Sequence, residues 1–304
     1  TFDFSKAYSD QKTNAEPAKK VKRDNKGFIE NVTGAIIATQ AGNVQAVNIK
    51  KAGEILKKIP DKLLNYASQK TEAVPLLYAL IMAGSKETNL IGSIQKRIIS
   101  EKYGKDISFR SLEEKTQLIK KLDLSFRLPL LNLIIPNIKQ LTEKEKGLVN
   151  FCVKGLALAD GKISTFEIAA IQILKSALND KDDNFGSNNE DSECRSISRV
   201  ICFIASKGNM NEVNTKKAIE KGLSECKNSP IFSKHSSKFV PIDHVKPEDV
   251  LKSLETLSNS TFKKKEVYLN AFSQTINFDK KITIEEKEIQ YAIFEALGCP
   301  HPKI

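Results

Sequence analysis

The chain has 304 residues, 40% apolar and 28% charged, an ordinary globular balance with enough length for one large core or two smaller ones. Its longest apolar run, Leu128 to Ile135, falls well short of the roughly 18 residues that cross a bilayer, and the first ten residues lack the basic-then-apolar form of a secretory signal. The net charge of +11 invites a nucleic-acid reading, but lysines are spread along every amphipathic segment, Trp is absent and aromatics are not interleaved with arginine, so nucleic acid is not expected as a partner.

Five cysteines without a CxxC spacing argue against a disulfide framework or a cysteine-rich zinc site, and for a reducing compartment. Cys152 and Cys202 fall in apolar helical stretches and are expected to pack in the core. The chain starts at Thr1, so either an initiator Met is removed or a longer chain is trimmed here.

Residues 1–26 are polar and close on a basic run that includes Lys19, Lys20, Lys22 and Arg23. They read as a disordered linker whose basic end could lie on an anionic membrane surface. Residues 27–141 then read as one short helix after another, a solenoid-like helical array. Ala52, Ile55, Leu56 and Ile59 recur at helical spacing; Pro60 closes that helix and opens another carrying Leu63, Leu64 and Ala67. The apolar stretch from Glu72 to Met82 places Pro75 in a first turn, where its missing N–H matters little. Leu90 to Ile99 supplies a further face, and Ser111 with Glu114 suggests a capping box. Arg127 to Leu141 is apolar almost all round and contains Pro136, which predicts a central helix kinked there.

Residues 142–304 carry an internal repeat. Asp160 aligns with Asp279, Ile163 with Ile282, Ser164 with Thr283, Glu167 with Glu286 and Leu178 with Leu297, all at one offset (279 − 160 = 119). A shared offset over so many positions predicts two copies of one helix-turn-helix unit, 142–178 and 262–297. Between them lie a polar, acidic stretch from Asn179 to Glu193, helices over Ile197 to Ala205 and Asn211 to Cys226, and a long loop from Lys227 to Lys246. That loop holds two of the three histidines, His235 and His244; a helix opened by Pro247 follows it. The fold class is therefore all-α, and strand signals are scarce throughout.

The pattern from Asp160 to Glu167 resembles the second half of an EF-hand loop, but Leu156 and Leu158 stand where hard-cation ligands belong. A local account is simpler: Asp160-Gly161 turns the chain, Ser164 caps the next helix and Glu167 returns the bond, with Asp279, Thr283 and Glu286 repeating the device. These four acids, Asp160, Glu167, Asp279 and Glu286, remain the weak candidates for a metal. Asp180, Asp182 and Asn184 form a second near-miss that lacks the sharp-turn Gly. The chain contains no HExxH, GxSxG, Walker loop or GxGxxG, so no catalytic residue is assigned.

The run from Arg127 to Leu178, with its RLPLL segment ending at Pro136 and its ADGKISTFE turn, resembles the C-terminal region of bacterial HtpX-type membrane zinc metallopeptidases. The second turn, Asp279 to Glu286, and Cys299-Pro300 fit the same region, as do Gly42 to Ala67 and Ala73 to Met82. The two turns also resemble the helical TerB (tellurite-resistance) module. The resemblance implies a non-catalytic accessory region that handles partners or substrates. It follows a membrane and protease portion that would bind zinc and lies on the cytoplasmic side of the inner membrane. No cofactor is expected in this stretch, because HExxH and its downstream Glu are not in it. A free-standing TerB-like stress-response protein that binds a divalent cation is the alternative, and a basic nucleic-acid-binding helical repeat stands behind it.

Overall fold

The computed structural model describes residues 57–84, 89–103, 107–178 and 189–299. These residues form helices joined by short turns, with no strand among them, so the all-α expectation holds. The first half contains α1 (Asp61–Ser68), α2 (Lys70–Gly84), α3 (Asn89–Tyr103), α4 (Phe109–Lys120), α5 (Arg127–Lys139), α6 (Glu143–Leu158) and α7 (Thr165–Ala177). The second contains α8 (Glu190–Lys207), α9 (Glu212–Lys227), a 3-10 helix at Pro230–Lys238, α10 (Pro247–Ser258), α11 (Phe262–Ile276) and α12 (Ile284–Leu297). The linker with Lys19, Lys20, Lys22 and Arg23, the Asp180–Asn184 near-miss, and Ala52, Ile55 and Leu56 lie outside the described residues.

The repeat extends further than the two hairpins. Thr142 caps α6 and Thr261 precedes α11 at the same offset of 119 (261 − 142), and α5 ends at Lys139 where α10 ends at Ser258, again 119 later (258 − 139). Packing follows the same order. In the first half α2 lies against α5 and α6, α3 against α6, and α5 against α7; in the second α8 lies against α10 and α11, α9 against α11, and α10 against α12. The 3-10 helix stands where α4 stands in the first half. The halves join mainly through α7 and α12, each packed on its own counterpart, the most extensive helix contact among the described residues.

Several boundaries differ from the sequence reading, each for a local reason. Helix α2 starts at Lys70, so Pro75 sits inside it, past the first turn. Ser108, not Ser111, caps α4: its hydroxyl accepts the Ser111 amide at 3.4 Å, and Glu114 pairs with Lys62 instead of closing a box. Pro136 lies within continuous α5, whose Leu128, Leu130, Leu131, Ile134 and Ile138 are buried, as its apolar composition requires. The acidic stretch is helical from Glu190, because Asn189 accepts the Asp191 amide at 3.0 Å and three acids in that first turn suit the positive end of the helix. The long loop contains the 3-10 helix, nucleated by Ser229 and by Pro230 in its first turn. Cys152 and Cys202 are buried as expected; the Cys202 sulfur also accepts the Ile242 amide at 3.3 Å and so ties down the segment after the 3-10 helix.

Helix α7 is buried at every residue from Thr165 to Leu174. At roughly 1.5–3 kcal/mol for each fully buried Leu, Ile or Phe, Phe166, Ile168, Ile171, Ile173 and Leu174 make this helix the keel of the molecule rather than a surface for partners.

Candidate functional site

Both repeated turns are built from the same bonds. Asp160 Oδ1 accepts the Lys162 amide at 2.9 Å and Asp279 Oδ1 accepts the Lys281 amide at 3.0 Å. The residue between adopts the left-handed conformation in each, Gly161 at φ 71° and Lys280 at φ 61°. Ser164 and Thr283 then cap α7 and α12 through complete capping boxes. Glu167 Oε2 accepts from the Ser164 amide at 2.7 Å and hydroxyl at 2.8 Å, and Glu286 Oε2 accepts the Thr283 amide at 2.8 Å. The Thr283 hydroxyl also donates to Lys207 O at 3.1 Å, which closes the last turn of α8 onto the start of α12.

All four acids named as metal candidates are thus engaged with backbone in their own turns. Among the described residues no three His, Cys, Asp or Glu side chains converge as a metal ion would need.

Glu167 and Glu286 are nonetheless unusual for capping residues. They are 2% and 1% exposed, and Oε1 of each is buried without a hydrogen-bond partner. Burial pushes the Glu167 carboxyl up to about 7, with the Asp160 charge adding to it and the Ser164 bonds and Arg127 opposing it. Burial raises Glu286 in the same way, and Gly208 makes room for it: a Cβ there would stand 2.9 Å from Glu286 Oε1.

The residues that bring the two halves together were not legible as a site. Arg127, the first residue of α5, sends Nη2 to Glu288 Oε1 at 2.8 Å. The other Glu288 oxygen accepts the Thr165 hydroxyl at 2.6 Å. The Arg127 guanidinium lies 4.6 Å from the centre of the Phe166 ring, a cation–π stack. Glu288 is 2% exposed; burial raises its carboxyl, while Thr165 and Arg127 hold it down. The RLPLL arginine, the first turn of α7 and the second turn of α12 therefore meet in one buried cluster. Each residue carries a local signal in the sequence: a lone cation at the head of an apolar helix, and a carboxylate beside Ile289 on the buried face of α12. Neither says which partner it meets, since they are 161 residues apart.

Comparisons with protein-family models, with curated proteins and with solved structures each return no match.

Proposed function

We propose that this chain is a non-catalytic helical interaction module, an accessory region of the HtpX-type membrane zinc metallopeptidases that it resembles, which handles partners or substrates for a catalytic portion elsewhere in the parent chain. The reading is supported by one observation above the rest. The RLPLL arginine and Thr165 of the first acidic turn meet Glu288, which lies two residues beyond the second turn, in one buried cluster that joins the helices of the two halves. Their chemistry is that of a rigid joint: a bidentate carboxylate, a stacked guanidinium and two capping boxes. A module organised in this way presents helix surfaces held at fixed angles, which suits recognition of other proteins. No helix of the described residues is long and apolar enough to cross a membrane, so in this reading anchorage belongs to other parts of the parent.

The test is the size of the native polypeptide in its source cells, by denaturing gel and peptide mass spectrometry. A product well above 33.9 kDa with upstream HExxH peptides is the expected result. A native product of 33.9 kDa removes the protease assignment. Cross-linking mass spectrometry in the same cells tests the interaction role directly: partner peptides should map to exposed faces, and a chain cross-linked only to itself would overturn it.

A further inference from the structure

The 3-10 helix Pro230–Lys238 rests on α8 and α9. Its apolar side buries Phe232, whose ring meets Phe239 edge-on at 5.4 Å and Tyr268 of α11 at 6.0 Å. Its polar side grips the first turn of α8. His235 Nε2 stands 2.6 Å from Glu190 Oε2, His235 Nδ1 stands 3.4 Å from Asp191 Oδ1, and Lys238 Nζ stands 2.9 Å from Asp191 Oδ2. From α11, Lys264 reaches Glu193 Oε2 at 2.6 Å and Glu190 Oε1 at 3.7 Å. Ser260 donates to Glu193 Oε1 at 2.8 Å and accepts from Tyr268 at 3.0 Å.

The decisive feature is that both nitrogens of one imidazole face carboxylates. An ionised carboxylate only accepts hydrogen bonds, and a neutral imidazole has a single N–H. Both contacts exist together only for the imidazolium. Loss of one proton turns a lone pair toward Glu190 or Asp191, and that contact then becomes repulsive. Histidine is the side-chain type whose charge changes in the neutral range, and this cluster holds one. The segment it holds is of a kind that holds itself weakly, since 3-10 hydrogen bonds are poorly aligned.

The first half supplies an internal control. There α4 occupies the equivalent place and is fastened to the first turn of α2 by Lys115, whose side chain is 0% exposed and whose Nζ lies 2.8 Å from Glu72 Oε2. That fastening carries a lysine in place of a histidine, and α4 packs along α2 far more extensively than the 3-10 helix packs on α8. The same joint is thus made by a lysine in one half and by a histidine in the other.

The geometry points to a pH-gated clasp: doubly protonated His235 holds the Pro230–Lys238 segment on the first turn of α8, and the segment loosens as pH rises through neutrality, uncovering the aromatic seat of Phe232. Acidification closes it.

The test is hydrogen exchange on the full chain, corrected for intrinsic rate, at about pH 5.5 and about pH 8, on either side of the ordinary imidazole range. Protection of the amides from Phe232 to Phe239 should fall at the higher pH by at least about fivefold more than that of α2, as a local opening beyond any global change. His235→Arg, cationic throughout, should keep the segment closed at both values; His235→Gln should leave it open at both; His244→Gln should behave as the wild type. Equal protection of the wild-type segment at the two pH values would overturn the clasp, and so would a pH response that survives in both His235 variants. A fall in the segment no larger than the fall in α2 would assign the proton linkage to global stability and overturn it equally.

Discussion

The two halves of this molecule run through the same order of helices and differ in how they are locked. In the first, the α2–α4 joint is fastened by Lys115, buried against Glu72 and 4.1 Å from the centre of the Tyr66 ring. In the second, the corresponding joint is a 3-10 helix held at a partly exposed edge by His235 and Lys238. The turns differ as well: Gly161 takes the left-handed conformation without penalty, whereas Lys280 takes it with a side chain. The two halves share the packing frame, meaning the keel pair α7–α12 and the helices behind it, and differ in their peripheral fastenings. Positions under the heaviest burial tolerate little change in volume, and the edge of a helix does not face that constraint.

The comparison is broken most severely at the joint between the halves. Arg127→Ala leaves Glu288 and its neighbour Glu167 buried without the guanidinium, and removing one member of a buried pair typically costs about 3–5 kcal/mol. Urea unfolding should show a loss of that order, and the native-state exchange of α7 and α12 should rise together. A loss below about 1 kcal/mol, the range of exposed ion pairs, would mean that the cluster does not join the halves.

A second effect comes from Glu167. Its folded-state carboxyl sits at about 7, above its ordinary 4.5, so the folded state holds the proton more tightly than the unfolded chain. The stability linked to this proton is present in full below about pH 4.5 and is lost as pH rises to about 7, up to roughly 3 kcal/mol in all. Glu167→Gln should match the wild type near the acid end and exceed it above neutrality. Parallel curves for the two proteins between those limits would show that Glu167 ionises as an ordinary glutamate.

These two groups also show where sequence reading stops. The helices, both capping boxes and the burial of α5 follow from apolar periodicity and from Ser or Thr three residues before Glu, all of them local signals. The duplication was visible where the turns kept Asp, Ser or Thr, and Glu at a constant offset, but not across α8 to α10, where the apolar pattern is shared and the residues are not. Arg127 and Glu288 needed tertiary placement, because a charged residue in an apolar stretch names no partner. The 3-10 helix was hidden for a different reason: Pro, Ser and Lys over Pro230 to Lys238 compose a loop by propensity, and the segment is fixed by Phe232 beneath it.

The fastenings can be exchanged. Lys115→His should make the first joint respond to pH like the second, with little loss near pH 5 and about 1–3 kcal/mol lost above neutrality, where a neutral ring leaves Glu72 without its cation. Thermal unfolding across that range reads it. A variant that unfolds to the same extent at both ends would mean that burial, not charge, holds α4 in place.

The smallest expected effect lies in the turns. Lys280 holds φ 61° in a position where the first half has Gly161, and left-handed backbone costs a residue with a Cβ about 1 kcal/mol. Lys280→Gly should therefore raise stability, by less than the full strain because glycine also gains entropy when unfolded. In the reverse change, Gly161→Lys, the added Cβ would meet no neighbour within 4 Å, so crowding at that atom adds nothing to the conformational loss. If strain alone separates the turns, the two substitutions shift the urea midpoint in opposite directions by similar amounts. A loss from Lys280→Gly would instead show that the lysine side chain contributes more to the second turn than its backbone takes away, and the two turns would then be alike in shape but held by different forces.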